Sequence, residues 1–207
     1  MISQLVADLK PVKRLLSPMR QFILCLMFMG VVIVSGIYFF HFRPNLSEVL
    51  GQGRFYLELG LLLGVCFAGL YAAIQNGFPG KKEAMGWLKI SIGCLFAWLC
   101  LMGTQSLLAI FHGDVVHAEV AVPCITVVSV INMGALLVYF WVLRRNRTVH
   151  AGVVATGTMG IGALGGLAIA LICPMQDPVH ILLWHGLPMV VSGLLLALFS
   201  RWIVKQI

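Results

Sequence analysis

Apolar residues occupy most of the chain in six long runs separated by short polar connections. Each run approaches the ~20 residues that an α-helix needs to cross a bilayer, and none shows the alternation of a strand. In lipid every backbone polar group must be paired within the spanning element, so we expect helices. The pattern predicts an all-α integral membrane protein, a bundle of six transmembrane helices. The predicted helices cover about residues 21–40, 55–75, 87–110, 120–143, 150–172 and 180–203.

The composition excludes a soluble domain. The 207 residues are 60% hydrophobic and 10% charged, and the mean hydropathy is +1.00. No small-residue cleavage site follows the first apolar run, and four basic residues precede it. We therefore interpret this run as a retained helix and not as a removed signal peptide.

The distribution of Lys and Arg predicts the orientation. Twelve of the 14 basic residues fall at the termini and around the second and fourth connections, and only Arg43 and Arg54 fall on the other side. The positive-inside rule then places both termini in the cytoplasm. The net charge of +7 follows from this bias, so it indicates contact with anionic lipid and gives no reason to expect nucleic-acid binding.

Two segments of different character follow from this topology. We predict a cytoplasmic segment over residues 1–20 and a transmembrane domain over residues 21–207. In the first segment, Leu5, Leu9 and Val12 form an apolar stripe that continues to Leu16. Such a stripe fits an interfacial anchor on lipid or a helix that docks in the groove of a partner protein.

A polar string interrupts the apolar pattern between the fifth and sixth helices. It contains Cys173, Asp177, His180 and His185, and Cys124 lies at a similar depth in the fourth helix. Ionisable residues at a membrane boundary are candidates for function. On the outer side the two thiols are placed for a disulfide, for redox sensing, or for binding zinc, cadmium or cuprous copper.

A metal site here would use Cys124, Cys173, His180 and His185, with a transient heavy-metal ion and no required cofactor. One feature weakens this interpretation. His180 and His185 are five residues apart, roughly 140° around an α-helix, so we expect them to lie on different faces. Pro188 is expected to kink the sixth helix near His185.

Glu58 is the other polar anomaly, a carboxylate one turn into the second helix. We expect either an ion pair with Arg54 or membership of the outer cluster with Asp177, His180 and His185. In the fifth helix, glycines that include Gly162 and Gly166 indicate close helix packing. Because that helix is expected at the centre of a small bundle, we interpret the glycines as an intramolecular seam.

At these residues the chain resembles the NrsF-type family of membrane negative regulators of extracytoplasmic-function sigma factors, which are six-helix proteins of the bacterial inner membrane. The likeness runs over nearly the whole length and is densest in the last of the matching strings. These are Leu5…Asp8-Leu9-Lys10-Pro11-Val12, Arg43-Pro44-Asn45-Leu46, Arg54-Phe55…Leu57-Glu58-Leu59, Cys124, and Cys173-Pro174…Asp177…His180…Leu183-Trp184-His185-Gly186-Leu187-Pro188.

The resemblance implies an anti-sigma factor and no enzyme. The cytoplasmic segment would hold a sigma factor at the membrane, and Cys124 with Cys173 would sense metal or oxidant stress. Inner loops carrying Lys81–Lys82 and Arg144–Arg147 would share the interface, because a docking segment of ~20 residues is short. The residues expected to bind the partner are Leu5, Asp8, Leu9, Val12, Lys13, Arg14 and Leu16.

Two other classes stay open on the residues alone. A small metal or cation transporter needs polar groups along a path through the bilayer, whereas the ionisable groups here lie near its outer edge. A thiol-redox membrane enzyme would normally carry a CxxC pair, which this chain lacks.

Overall fold

The computed structural model of the protein describes residues 16–78, 83–113, 121–143 and 151–206. Within these ranges six helices are long and apolar enough to cross a membrane, and there is no strand. The first five are α1 (Pro18–Phe40), α2 (Gly53–Asn76), α3 (Ala84–His112), α4 (Ala121–Leu143) and α5 (Ala151–Ile172). The predicted six-helix, all-α fold is confirmed for these residues; the orientation of the termini remains a prediction.

The sixth helix, α6, is continuous but not uniform. It consists of the helical turn Pro178–His180, the π-helical turn Ile181–Gly186 and the α-helix Leu187–Gln206. In the π turn, the amide of Leu187 donates to the carbonyl of Leu182, five residues earlier. Pro188 follows directly. A proline has no amide to donate, and its ring clashes with the carbonyl four residues back in an α-helix, so a wider turn at this point relieves the conflict.

The first helix begins inside the segment that the charge pattern assigned to the cytoplasm. Ser17 caps α1 by accepting a hydrogen bond from the amide of Arg20 at 3.5 Å, and Pro18 occupies its first turn. Both residue types are favoured at these positions. Leu16 is half-buried, and its carbonyl accepts a hydrogen bond from the Gln21 side chain at 3.1 Å. The other predicted partner-binding residues, Leu5, Asp8, Leu9, Val12, Lys13 and Arg14, lie outside the described residues.

Helix α5 is the centre of the bundle. In its apolar window 89% of the residues are buried, compared with 17% for α1, and it contacts α1, α2, α4 and α6. At the crossing with α2 the two backbones approach each other closely. A Cβ atom on Gly160 would lie 3.0 Å from both the Cys66 carbonyl oxygen and the Leu70 nitrogen. The glycines of α5 therefore form the intramolecular seam that the sequence predicted.

The connection between α1 and α2 returns to the bundle. His41 takes a left-handed φ of 61° where α1 ends, and a helical turn, Leu46–Leu50, precedes α2. Between them, the amide of Arg43 donates to the carbonyl of Leu171 in α5 at 3.0 Å. This contact places the α1–α2 connection beside Cys173. We call this the Cys173 end of the bundle; it is the end that the charge pattern predicts to face outward.

Replacing Gly160 by leucine should destabilise the bundle. The new side chain meets the α2 backbone, which cannot rotate away as a side chain does, and such overpacking costs about 1–3 kcal/mol. We expect a lower unfolding midpoint in detergent, followed by circular dichroism. Gly93→Leu in α3 is the matched control, because a Cβ atom there meets nothing within 4 Å and leucine is the better helix former. Equal midpoints for the two variants would contradict the close crossing.

Candidate functional site: a buried thiol and imidazole cluster

Two cysteines meet at the Cys173 end. Cys124 lies in the first turn of α4 and Cys173 directly follows α5. Their sulfur atoms are 3.4 Å apart, and both thiols are free. The side chains are buried, with 6% and 2% of their surface exposed. Below them lies an apolar cluster formed by α4 and α5, which includes Val128 and Ile169. The structure thus joins two cysteines that are 49 residues apart in sequence.

Two histidines cover the same thiols from α6. The Nε2 atom of His180 lies 3.6 Å from the sulfur of Cys173. The rings of His180 and His185 pack edge to face, with centroids 5.3 Å apart and an interplanar angle of 85°. Both are buried, with 0% and 4% of their surface exposed. The four residues form one group, whose ligand atoms all lie within 4.8 Å of one another.

The expectation that His180 and His185 lie on different faces of a helix is wrong. It assumed α-helical geometry, in which a spacing of five separates two side chains by roughly 140°. The chain between them is π-helical. A π turn, with hydrogen bonds between residues five apart, is wound more widely than an α-helix, so a spacing of five comes nearer to one full turn and the two side chains point to more similar sides. The proline at 188 was the only signal of this change, and it predicted a kink without specifying a π turn.

Asp177 supports this cluster from the start of α6. Its Oδ1 atom accepts a hydrogen bond from the Val179 amide at 3.0 Å, so it caps the helix. Its Oδ2 atom is buried and has no hydrogen-bond partner among the described residues. Asp177 is not a member of the four-residue group. The structure therefore places it next to His180 as a capping residue.

Glu58 lies in an adjoining polar region of α2. The carboxylate is buried and is within electrostatic range of Arg54 and Arg43. These three residues line a cavity of about 20 Å³ together with Gln52 and Gln176. A cavity of that size accommodates one water molecule. The Arg54 guanidinium is directed to the sulfur of Met102, at 4.0 Å. Glu58 thus belongs to the polar layer at the Cys173 end, next to the thiol cluster and not within it.

Arg43 is the residue that the sequence analysis did not identify as part of the site. Its Nη1 donates to the Ala170 carbonyl at 3.2 Å, its Nη2 to the Pro174 carbonyl at 3.0 Å, and its Nε to Asn45 at 2.8 Å. Only 5% of its surface is exposed. It therefore pairs the Ala170 carbonyl in the last turn of α5, which no helical amide reaches, and the Pro174 carbonyl just after the helix. A signal was present, because Arg43 and Arg54 are the two basic residues that fall on the predicted outer side.

Arg43 and Cys173 lie within electrostatic range of each other at this end. Burial lowers the pKa of the Arg43 guanidinium, while the nearby Cys173 and Glu58 raise it. The hydrogen bond from Cys124 lowers the pKa of the Cys173 thiol; burial opposes this, and hydrogen bonds from His180 and His185 add to it. The arrangement thus favours a thiolate at Cys173, the form that reacts with oxidants and binds metals.

The fold is that of a multi-pass membrane protein, with two thiols buried at one end of the bundle. Over residues 5–205 the chain matches the NrsF family, described as negative regulator of sigma F, and it belongs to that family. Neither a curated protein nor a solved structure matches the chain. The resemblance found in the sequence is thereby confirmed, and a sigma factor is the partner that the family description indicates.

Arg43→Gln should destabilise the Cys173 end more than the loss of a surface arginine does. The shorter neutral side chain leaves the Ala170 carbonyl unpaired and leaves the Pro174 carbonyl with only the Asn45 amide as donor. Hydrogen bonds from a charged donor contribute about 1.5–3 kcal/mol. We expect a lower unfolding midpoint and faster amide hydrogen exchange around residues 170–174. Arg20→Gln is the control, since Arg20 is exposed at the start of α1. Unchanged exchange in Arg43→Gln would rule out the pairing role.

Proposed function

We propose that this protein is an anti-sigma factor of the bacterial inner membrane, with both termini in the cytoplasm. It binds an extracytoplasmic-function sigma factor and releases it when Cys124 and Cys173 sense a metal or an oxidant. Membership of the NrsF family supports the regulatory role. The contact of 3.4 Å between the two buried sulfurs is the observation that carries the sensing role.

In the resting protein, the sigma factor binds residues 1–20 and the basic inner loops that contain Lys81–Lys82 and Arg144–Arg147. The apolar stripe of Leu5, Leu9, Val12 and Leu16 suits a groove on a partner. Asp8, Lys13 and Arg14 supply charges beside the stripe that set the register of the contact. Because Ser17 caps α1, the start of this helix does not depend on the residues before it, which supports a separate docking role for them.

The signal is a change of bonding between the thiols. An oxidant that accepts two electrons would convert them to a disulfide, with the loss of two protons, and draw the sulfurs from 3.4 Å to about 2.05 Å. A bound metal would join the same atoms through thiolate bonds. Either event ties the start of α4 to the junction between α5 and α6.

Helix packing provides a path from the thiols to the cytoplasmic side. Cys124 lies in the first turn of α4, and the helix ends at Leu143, beside the loop with Arg144–Arg147. At 1.5 Å per residue the helix is about 35 Å long, so it connects the Cys173 end of the bundle with the opposite end. Moving an equilibrium fully from one state to the other takes ~5 kcal/mol, the order of energy that a disulfide or a thiolate–metal bond supplies.

Removing residues 1–15 should abolish binding of the sigma factor and leave the bundle folded, because Ser17 and Pro18 are retained. We expect the intact protein, purified in detergent from its own cells, to carry a sigma factor and the shortened protein to carry none. A finer variant places two charges on the stripe, Leu5→Glu with Leu9→Glu, and should reduce the bound amount at least tenfold, about 1.4 kcal/mol.

The matched control for that variant is Gln4→Glu with Ala7→Glu, which adds the same charge away from the stripe. It should bind as the unchanged protein does. Retention of the sigma factor by the shortened protein would exclude the docking segment. If the intact protein carries no sigma factor, the anti-sigma assignment itself is wrong.

Replacing Cys124 and Cys173 together by serine should separate sensing from binding. Sequestration needs neither thiol, so we expect the sigma factor to remain bound and its target promoter to stay silent. Induction by cadmium, zinc or a thiol oxidant should be lost, as measured with a promoter reporter. Cys100→Ser is the control, since Cys100 is an exposed free cysteine of α3. Normal induction in the double variant would contradict the sensing role.

A further inference from the structure

We propose that Cys124, Cys173, His180 and His185 form a closed tetrahedral site for a divalent d¹⁰ cation, Zn²⁺ or Cd²⁺. The inference deepens the proposed function, because it adds two imidazoles to the two sensing thiols and specifies the class of ion. The metal site itself does not depend on the anti-sigma role. Two observations support the site: the distances between its four ligand atoms, and the neutral charge that a dication would give to these buried side chains.

The distances fit tetrahedral coordination. Bonds of ~2.3 Å to sulfur and ~2.0–2.1 Å to nitrogen place neighbouring ligand atoms about 3.3–3.8 Å apart around the ion. The sulfur atoms of Cys124 and Cys173 are 3.4 Å apart, and the distance from the Cys173 sulfur to Nε2 of His180 is 3.6 Å. All four ligand atoms lie within 4.8 Å of one another. Small rotations of the side chains are therefore enough to close the site.

The charges favour a dication. Two thiolates carry two negative charges and two neutral imidazoles carry none, so a divalent ion makes the site neutral. Neutrality matters here because all four side chains are buried, with at most 6% of their surface exposed, and an unpaired charge at such a place is costly. Burial also leaves no open position for water, which is typical of four-coordinate structural sites.

Unpaired nitrogen atoms support a role for the histidines beyond packing. The Nδ1 atom of His180 and the Nε2 atom of His185 are buried and have no hydrogen-bond partner among the described residues. Buried polar atoms are normally paired, so each such atom requires an explanation. A metal-bound histidine usually donates its other ring N–H to a carboxylate. Asp177 lies one turn before His180 with its buried Oδ2 unpaired, and it suits that role as a positioning residue.

The π turn provides the local reason for the geometry. It spans Ile181–Gly186 and so includes His185 and follows His180. π turns are rare and often occur at functional sites. Here the turn brings the two imidazoles to the same side of α6, where they face the thiols. A bound ion consequently ties three elements, namely α4, the α5–α6 junction and α6, whereas a disulfide would tie only the first two.

Metal titration of the full-length protein in detergent tests the site directly. After treatment with a chelator and a reductant, we expect one Cd²⁺ per chain and the ultraviolet thiolate-to-cadmium absorption band. X-ray absorption spectroscopy of the zinc form should give two sulfur and two nitrogen ligands. A first shell with two sulfurs and only oxygen otherwise would overturn the proposal, and this measurement needs no substituted protein.

Variants then assign the ligands. Cys124→Ser and Cys173→Ser should each weaken the cadmium band. His180→Ala and His185→Ala should each lower the affinity for cadmium at least ~10-fold, because even the loss of a residue that only hydrogen-bonds to a metal ligand lowers metal affinity by that factor. His112→Ala and Cys100→Ser are the matched controls, because His112 and Cys100 are exposed in α3 and lie outside the four-residue group. His180→Asn and His185→Asn serve as less disruptive replacements should an alanine variant unfold.

The outcomes distinguish this proposal from the anti-sigma role. Undiminished cadmium affinity in both histidine variants would eliminate the four-ligand site and leave the cysteine sensor standing. If one Cd²⁺ binds per chain through two sulfur and two nitrogen ligands but the purified protein carries no sigma factor, the metal site is supported and the proposed regulatory function is excluded. The same metal result together with a sigma factor on the purified protein would support both the four-ligand site and the proposed regulatory function.

Discussion

The Arg43 guanidinium pairs two backbone carbonyls, Ala170 in the last turn of α5 and Pro174 just after it, and the Cys173 end of the bundle depends on this pairing. A helix end within a membrane has few water molecules to pair with its carbonyls. The guanidinium reaches Ala170 and Pro174 from a different part of the chain. It thereby fixes the turn that carries Cys173, and with it the distance from Cys173 to Cys124 and His180.

Close packing of α5 connects the Cys173 end with the rest of the bundle. Helix α5 touches four other helices, and at Gly160 its backbone meets the backbone of α2 without an intervening side chain. Such a seam has no flexible layer to absorb a displacement. A displacement of α5 is therefore passed on to α2 and is not absorbed between the two helices.

The sequence predicted which residues form the thiol and imidazole cluster, but it did not predict how their side chains are arranged. Cys124 and Cys173 were placed at equal depth from helix lengths and charge bias alone. The histidines were not, because their spacing of five was interpreted with α-helical geometry, and the π turn before Pro188 changes which side of α6 they share. Arg43 was likewise missed, since no local pattern reveals that an arginine in a connection will enter the bundle and pair carbonyls 127 and 131 residues away.

The sequence by itself determined the six spanning helices, the glycine seam and the polar string at the α5–α6 junction. These features follow from hydropathy and from the spacing of residue types, which are properties of neighbouring residues in the sequence. Only the tertiary structure decided that Arg43 pairs a carbonyl at the end of α5, that the two thiols lie 3.4 Å apart and that two imidazoles face them. These contacts depend on which helices pack together and on the π turn in α6. Helix packing and that turn both depend on contacts between side chains that are far apart in the sequence.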